Sequence, residues 1–379
     1  MTLQQHTPDQ QPQHGNATAN DHVRFSIIVP VFNRPDEVDE LLDSLTRQTM
    51  RDFEVVIVED GSQQPCEDVC QKYVGRLPLH YYAKANSGPG QSRNYGVERA
   101  RGEYVIILDS DVIVPEDYLK AVDDELRREP CDAFGGPDRA HPSFTPTQKA
   151  ISYSMTSFFT TGGIRGGKKK LDKFYPRSFN MGMRHDVYNK LGGFSKMRFG
   201  EDIDFSIRIF KGGYRCRLFP GAWVYHKRRT DFRKFWRQVF NSGIARINLY
   251  KKYPESLKVV HLLPAVFTVG IFVLAILFLE SFAAFMFVDV FKTYTGDTHL
   301  AKVGMAVAVA PVLLYSLLIF LDATWQYRSP KIGLLSIRAA FTQLLGYGSG
   351  FVQAWWRRCV GKDADENGEF EAYKKNFYK

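Results

Sequence analysis

The stretch Tyr104–Val114, YVIILDSDVIV, constrains the fold of this chain more than any other. A β-branched apolar run, Val105 to Leu108, breaks off in Asp109-Ser110-Asp111. Its length and composition are those of a strand buried on both faces of a parallel sheet. Such a strand carries its C-terminal end to the crevice where open α/β sheets bind ligands. Two carboxylates one residue apart at that end are costly unless a positive charge compensates them. A hard divalent cation, Mn2+ or Mg2+, carrying a phosphate-rich substrate would do so. The other reading of the same residues is a polar turn in which Asp109 caps the next helix.

The surrounding pattern repeats this design. FSIIVPVF from Phe25 reads as a buried strand, and Asp36–Gln48 has helical spacing at Val38, Leu41, Leu42 and Leu45. FEVVIV, Phe53–Val58, is a second strand ending in Glu59-Asp60, and Glu67–Val74 reads as a helix. Leu79–Ala83 is a short strand, followed by the glycine-rich NSGPGQSRN and a helix over Gln91–Ala100. The alternation predicts a doubly wound, mostly parallel sheet with right-handed crossovers. Three polar strand ends, Asn33-Arg34, Glu59-Asp60 and Asp109-Ser110-Asp111, should converge on one crevice. Neither a G-x-G-x-x-G after the first strand nor a P-loop motif is present, so the dinucleotide and P-loop readings are not supported.

Further along, Pro115–Arg128 reads as a helix, Asp132–Gly136 as a strand, and Gly162–Lys173 as a basic loop, either a solvated surface loop or a lid over a phosphorylated acceptor. Glu201, Asp202 and Asp204 open the helix that contains FSIRIF. Acidic residues at a helix start complement its dipole, yet three exceed what capping needs, and one held there is a suitable general base. Strands are expected over Tyr214–Phe219 and Ala222–Tyr225. His226 follows, as a metal ligand or as a surface histidine.

The set SIIVPVFNR, VEDGS, NSGPGQSRNYG, LDSD, FNMGMR with GGF, GEDIDFSIRI and VYH, in that order from Phe25 to about Arg246, resembles the family 2 glycosyltransferases of the GT-A fold. The resemblance implies an inverting sugar transfer from a nucleotide-sugar donor, a UDP-sugar by family frequency. It implies donor contacts from Pro30, Phe32, Asp60, Arg93 and Asp109, with Asp60 on the base and Asp109 facing the ribose. Asp111 and His226 would hold the divalent metal, and Asp202 would be the catalytic base. Asn180 and Glu201 would lie against acceptor or donor. Glu59 stands where the family more often has Asp or Asn. The Gln-x-x-Arg-Trp motif of processive members is missing around Gln238–Ser242, which favours single addition.

The C-terminal part is of another kind. Leu262–Leu279, extended by Phe282–Val288, and Val303–Leu321 are apolar runs that meet the roughly 20 residues a bilayer span needs. A buried core helix is the competing reading of each. Ile332–Trp356, interrupted by Arg338, Gln343 and Gln353, reads as an interfacial or re-entrant helix, with a third span open. Asp231–Lys252 reads as a basic amphipathic helix suited to an anionic leaflet. The expected organisation is therefore a disordered tail over 1–22 and a catalytic domain over 23–228. Amphipathic helices follow over 229–260, two spans over 261–327, an interfacial helix over 328–359 and a cytosolic tail over 360–379. Basic residues flank the pair of spans on both sides while Asp289–Lys302 has few, which puts the catalytic domain in the cytosol, on the inner membrane.

The net charge of +9 would suit a nucleotide, an anionic membrane or nucleic acid. The basic residues crowd beside apolar runs rather than forming a domain of their own, which argues against nucleic acid. The five cysteines form no zinc pattern and fit a reducing compartment. The expected protein is a membrane-anchored transferase acting on a lipid-linked or glycolipid acceptor. The rival is a catalytically silent partner subunit that keeps the fold. It is disfavoured by the retained Asp109, Asp111 and Asp202.

Overall fold

The computed structural model describes residues 23–141, 143–161, 174–197, 199–227, 229–291 and 298–361. The expected N-terminal tail, the Gly162–Lys173 loop and the tail beyond residue 361 lie outside the described residues. The chain divides into two compact units, Met1–Pro142 with Lys170–Lys227, and Ser143–Lys169 with Arg228–Lys379.

The first unit begins β1 (Phe25–Val31), α1 (Pro35–Thr46), β2 (Phe53–Asp60), α2 (Glu67–Gln71), β3 (Leu79–Lys84), α3 (Pro89–Val97) and β4 (Tyr104–Leu108). Then come β5 (Val112–Ile113), α4 (Tyr118–Arg128), β6 (Ala133–Gly135) and β7 (Asp138–Arg139). The next two helices in the chain, α5 (Pro146–Thr156) and α6 (Phe158–Thr161), belong to the second unit. The first unit resumes with β8 (Asn180–Arg184), α7 (His185–Leu191), α8 (Glu201–Lys211), β9 (Cys216–Leu218) and β10 (Val224–His226).

Seven strands form the main sheet in the order β3-β2-β1-β4-β8-β6-β9. β1 to β4 are parallel, as their apolar runs predict, and β8 runs antiparallel to both β4 and β6. Strand neighbours alternate between two cores. Ile27, Val29, Ile57 and Ile106 pack with α1 and α4, whereas Ile28, Val56, Val105 and Ile107 pack with α3, α7 and α8. Covering both faces makes every position apolar, which is why these strands read as unbroken runs rather than alternating ones. Glu54 near the start of β2 departs from this, as do Glu59 and Asp60 at its end. Glu54 is fully buried, and Ser26 Oγ donates to it at 2.6 Å.

The strand order reverses between β1 and β4, the switch point at which such sheets bind ligands. A small second sheet, β5-β10-β7, adjoins in sequence the end of β4. The sequence pattern missed β5 and β7, because two-residue strands carry no period.

In the second unit, α9 (Phe232–Lys252), α10 (Leu263–Phe291), α11 (His299–Tyr327) and α12 (Pro330–Trp355) are long helices. α10 and α11 contain stretches, Leu263–Phe287 and His299–Tyr327, long and apolar enough to cross a membrane. They expose Val266, Phe272, Leu279, Leu313 and Leu317. α12 is one unbroken helix, and its small residues admit close neighbours. A Cβ on Gly350 would stand 2.1 Å from the Phe240 carbonyl oxygen, and one on Gly243 the same distance from that of Tyr347. Much of the apolar stripe of α9, including Phe235 and Val239, is thereby buried. That is a correction to the expectation that this stripe faces a leaflet: glycines on α12 let the two helices touch, and they take the surface a lipid would have covered. Trp236 of α9 remains 39% exposed.

Candidate active site

The loops after β1, β2 and β4 meet as expected, and the structure shows what joins them. Asn33 adopts a left-handed backbone, φ 55°, which asparagine tolerates. Its Oδ1 accepts from the backbone N–H groups of Gln63 and Gln64, and its own N–H donates to Ser62 Oγ. Glu59, the departure from the family pattern, is buried and accepts from Ser62 Oγ and the Cys66 N–H, so it braces this loop.

Asp60 ends β2 and is 4% exposed. Its carboxylate accepts from Lys84 Nζ and from the N–H groups of Ser87 and Gly88, both at 2.9 Å. The residue expected on the base thus also fixes the NSGPG loop. Pro30 lies near the end of β1, and Phe32 just beyond it is 39% exposed.

Three groups form a cluster of metal-ligand type. Asp109, Asp111 and His226 each offer an atom within 4.8 Å of the others. β10 brings His226 there by pairing antiparallel with β5, His226 opposite Val112, and the Lys227 N–H donates to the Asp111 carbonyl at 3.0 Å. His226 Nε2 stands 3.2 Å from Asp111 Oδ1, and its ring stacks on Phe179 at 4.7 Å. Two carboxylates and an imidazole are a donor set that suits Mn2+ or Mg2+, so these residues fit the divalent ion the sequence implies.

Two arginines flank this cluster, Arg34 from the expected crevice and Arg93 from the expected donor site. Arg34 Nη1 donates to Asp111 Oδ2 at 3.0 Å and to Glu37 at 2.6 Å. Arg93, with its side chain 4% exposed, donates through Nη2 to Asp109 and through Nη1 to Glu201, both at 2.9 Å. Its guanidinium also lies 5.1 Å from the Phe194 ring centroid. Asn94 holds the chain around Phe194 by accepting from the Phe194 N–H and donating to its carbonyl.

α8 starts at Glu201 after Gly200, whose φ of 76° suits glycine. Its three carboxylates take three partners. Glu201 faces Arg93, and Asp204 is fully buried against Arg208 at 3.0 Å. Asp202 is paired with Arg177, 3.2 Å from Asp202 Oδ2 to Arg177 Nη1. Burial pushes the Glu201 carboxyl up to about 7, with Arg93 opposing and the Asp202 charge adding to the rise. Of the three, Asp202 is the one neither locked in the interior nor shared with Arg93.

Asn180 does not open onto this group. It is 1% exposed, accepts from Tyr118 Oη at 2.6 Å and donates to the Ala222 carbonyl at 2.8 Å. A Cβ on Gly136 would clash with that same carbonyl. Asn180 ties β8 to α4 and to the turn before β10, so the expected acceptor or donor contact becomes a positioning role.

Comparison with known proteins bears on the family and the fold. The family model described as glycosyl transferase family 2 matches residues 26–192. An uncharacterized glycosyltransferase, EpsJ, of Bacillus subtilis is 25% identical over 212 residues, 53% of this chain and 60% of that protein. The poly(ribitol-phosphate) beta-N-acetylglucosaminyltransferase TarS of Staphylococcus aureus is 38% identical over 102 residues, 26% of this chain and 18% of that one. The hyaluronan synthase of Pasteurella multocida is 25% identical over 253 residues, 54% of this chain and 25% of its own length. The chain therefore spans less than two thirds of each of these relatives. A solved mannosyltransferase, PcManGT of Pyrobaculum calidifontis, in complex with GDP-Man and Mn2+, shares the fold. It is 17% identical with a TM-score of 0.53 over 92% of both chains.

Proposed function

We propose, for a chain that belongs to glycosyl transferase family 2, that it moves a sugar from a nucleotide-sugar donor, a UDP-sugar first, to a membrane-associated acceptor with inversion. The observation that carries this reading is the linkage of two acidic groups. Asp109, Asp111 and His226 cluster at the end of β4, and Arg93 connects Asp109 to Glu201, the neighbour of Asp202. A ligand set for a cation and a candidate base are thus built around one buried arginine.

Asp109, Asp111 and His226 would hold a divalent ion, which would neutralise the diphosphate of the donor and of the leaving nucleotide. Arg93 orients Asp109. Asp202 takes the proton of the acceptor hydroxyl as that oxygen attacks the anomeric carbon, and the diphosphate leaves from the opposite face. The proton passes to one Asp202 oxygen and no covalent enzyme intermediate is needed.

The membrane part of the reading rests on α10 and α11, with their length and exposed apolar surface. Basic flanks orient the catalytic unit to the cytosolic side of an inner membrane. Anchoring keeps the site at the surface where a lipid-linked acceptor resides. The test is a panel of nucleotide sugars incubated with the full chain and lipid extract, scored for nucleoside diphosphate release with and without Mn2+. Release from one donor, dependent on lipid extract, is expected. No release from any donor would leave the fold without this activity.

A further inference from the structure

Asp202 and Glu201 are adjacent at the start of α8, and each has its own arginine, yet the two pairs are built differently. Arg93 is 4% exposed in its side chain and is held by two carboxylates. Arg177 is 34% exposed in its side chain, and among the described residues it forms one ion pair, to Asp202. Its backbone is fixed on both sides. Ser206 Oγ donates to the Pro176 carbonyl at 3.0 Å, and the Asn180 N–H donates to the Arg177 carbonyl at 3.0 Å. The Arg177 backbone is thus anchored while its side chain remains partly open to solvent.

Asp202 Oδ1 already accepts from the Ile203 N–H at 2.8 Å, so Oδ2, the oxygen held by Arg177, is the one to be freed for an incoming proton. The pair therefore has to loosen when the acceptor arrives. An ion pair whose guanidinium is a third exposed is partly screened by solvent, whereas a guanidinium binds phosphate oxygens with paired, charge-assisted hydrogen bonds. A phosphate is thus the exchange partner that would draw Arg177 away from Asp202.

We propose that Arg177 is an acceptor-recognition residue that binds a phosphate group of the acceptor, and that this exchange frees Asp202 to act. The inference rests on Asp202 being the base and adds to it the chemical class of the acceptor, a phosphate-bearing molecule. No bond is made or broken in the exchange: Arg177 trades one anionic oxygen for another.

The test measures binding rather than turnover, so that it stands apart from the catalytic reading. The full chain in detergent, with chelator to keep phosphate off any metal, is titrated with farnesyl phosphate, farnesol and phenyl phosphate. Wild type should bind farnesyl phosphate roughly tenfold tighter than farnesol, the scale of one charge-assisted contact. Arg177→Ala should bring that ratio close to one, and Arg177→Lys should keep part of it. Thermal melting checks that both variants fold, and if Arg177→Ala does not, the lysine variant decides by whether its ratio falls. Phenyl phosphate binding as tightly as farnesyl phosphate would support a soluble phosphate source, and weaker binding a lipid one. A ratio unchanged in the variants, or no phosphate preference in wild type, would overturn the proposal. Normal transfer by Asp202→Asn would instead overturn the base on which it rests.

Discussion

Arg34 Nη1 lies 3.0 Å from Asp111 Oδ2, across the point where the strand order reverses between β1 and β4. The parallel pairing of these strands brings together two residues 77 positions apart in the chain. A fixed positive charge there offsets part of the negative charge that Asp109 and Asp111 present to a cation. Arg34→Gln should therefore tighten Mn2+ binding by about tenfold, the size of a nearby unit charge after solvent screening. Free Mn2+ followed by electron paramagnetic resonance during titration of the full chain reads this directly. Weaker binding would show instead that Arg34 serves to hold Asp111 in place.

The same cluster predicts the effect of removing a ligand. Chelation should abolish transfer, and Asp111→Asn should do the same by taking a charged oxygen from a hard cation. His226→Ala should raise the metal concentration for half-maximal activity by at least the roughly 10- to 100-fold seen when even an outer partner of a ligand is lost. Full activity in excess chelator would remove the metal from the mechanism. An unchanged metal titration in His226→Ala would remove the histidine alone.

Glu54 makes a prediction about stability. Its side chain, on β2 between β1 and β3, is 1% exposed. Burial alone would raise its carboxyl. Hydrogen bonds from His80, Ser26 Oγ and the Arg101 N–H, with the Arg101 charge, more than offset this and hold it at about 2 against an ordinary 4.5. A lowered folded-state value means that the contribution is fully present above pH 4.5 and is lost as the pH falls from there towards 2. The contribution is about 3 kcal/mol. Melting curves should show wild type losing stability steeply over that window, while Glu54→Gln starts lower at pH 7 and falls less. Parallel pH profiles for the two proteins would disprove the assignment.

Much of this was readable in the residues, and the parts that were not have a common cause. Asp109, Asp111, Asp202 and His226 end or begin regular elements, so periodicity marks them. Arg34 and Arg177 sit in irregular chain, and their significance depends on carboxylates that meet them only in the fold. Asn180 looked available because it is polar and lies beside FNMGMR, yet Tyr118 and the Ala222 carbonyl enclose it. The stripe on α9 was legible as apolar, but not what covers it. That depends on Gly346 and Gly350 of α12, whose missing side chains let Val239 and Phe240 approach. Small residues give no hydrophobic signal, so helix contacts made through them are hidden from a hydropathy pattern.

The membrane orientation can be tested through α10 and α11. The proposal leaves the residues between them outside and the segment after α12 in the cytosol. Cys359 is exposed and Cys216 partly so, and both must first be replaced by serine, whereas Cys66, Cys70 and Cys131 are buried. In that background, a cysteine at Thr298 should react with an impermeant thiol reagent in intact cells, and one at Asp363 should not. Labelling at Asp363 would mean that α12 also spans.

The pair Glu201 and Asp202 separates the base from its neighbour. Both head α8, where the helix dipole favours a negative charge. Glu201 is turned inwards to Arg93, and burial pushes its carboxyl up to about 7, so near neutral pH it is poised between charged and neutral forms. Its ionisation works against the fold: stability should fall as the pH rises from about 4.5 to 7, and Glu201→Gln should lessen that fall. Asp202 is less enclosed, and only Arg177 stands in ion-pair distance of it among the described residues. A base must reach the acceptor hydroxyl, which selects Asp202. Asp202→Asn should leave nucleotide and metal binding intact and lower turnover by roughly 10²- to 10⁴-fold. Glu201→Gln should cost less in turnover, acting through the placement of Arg93 and Asp109. Normal turnover by Asp202→Asn alongside a dead Glu201→Gln would transfer the role of base to Glu201, and activity in both would require a mechanism without a carboxylate base at α8.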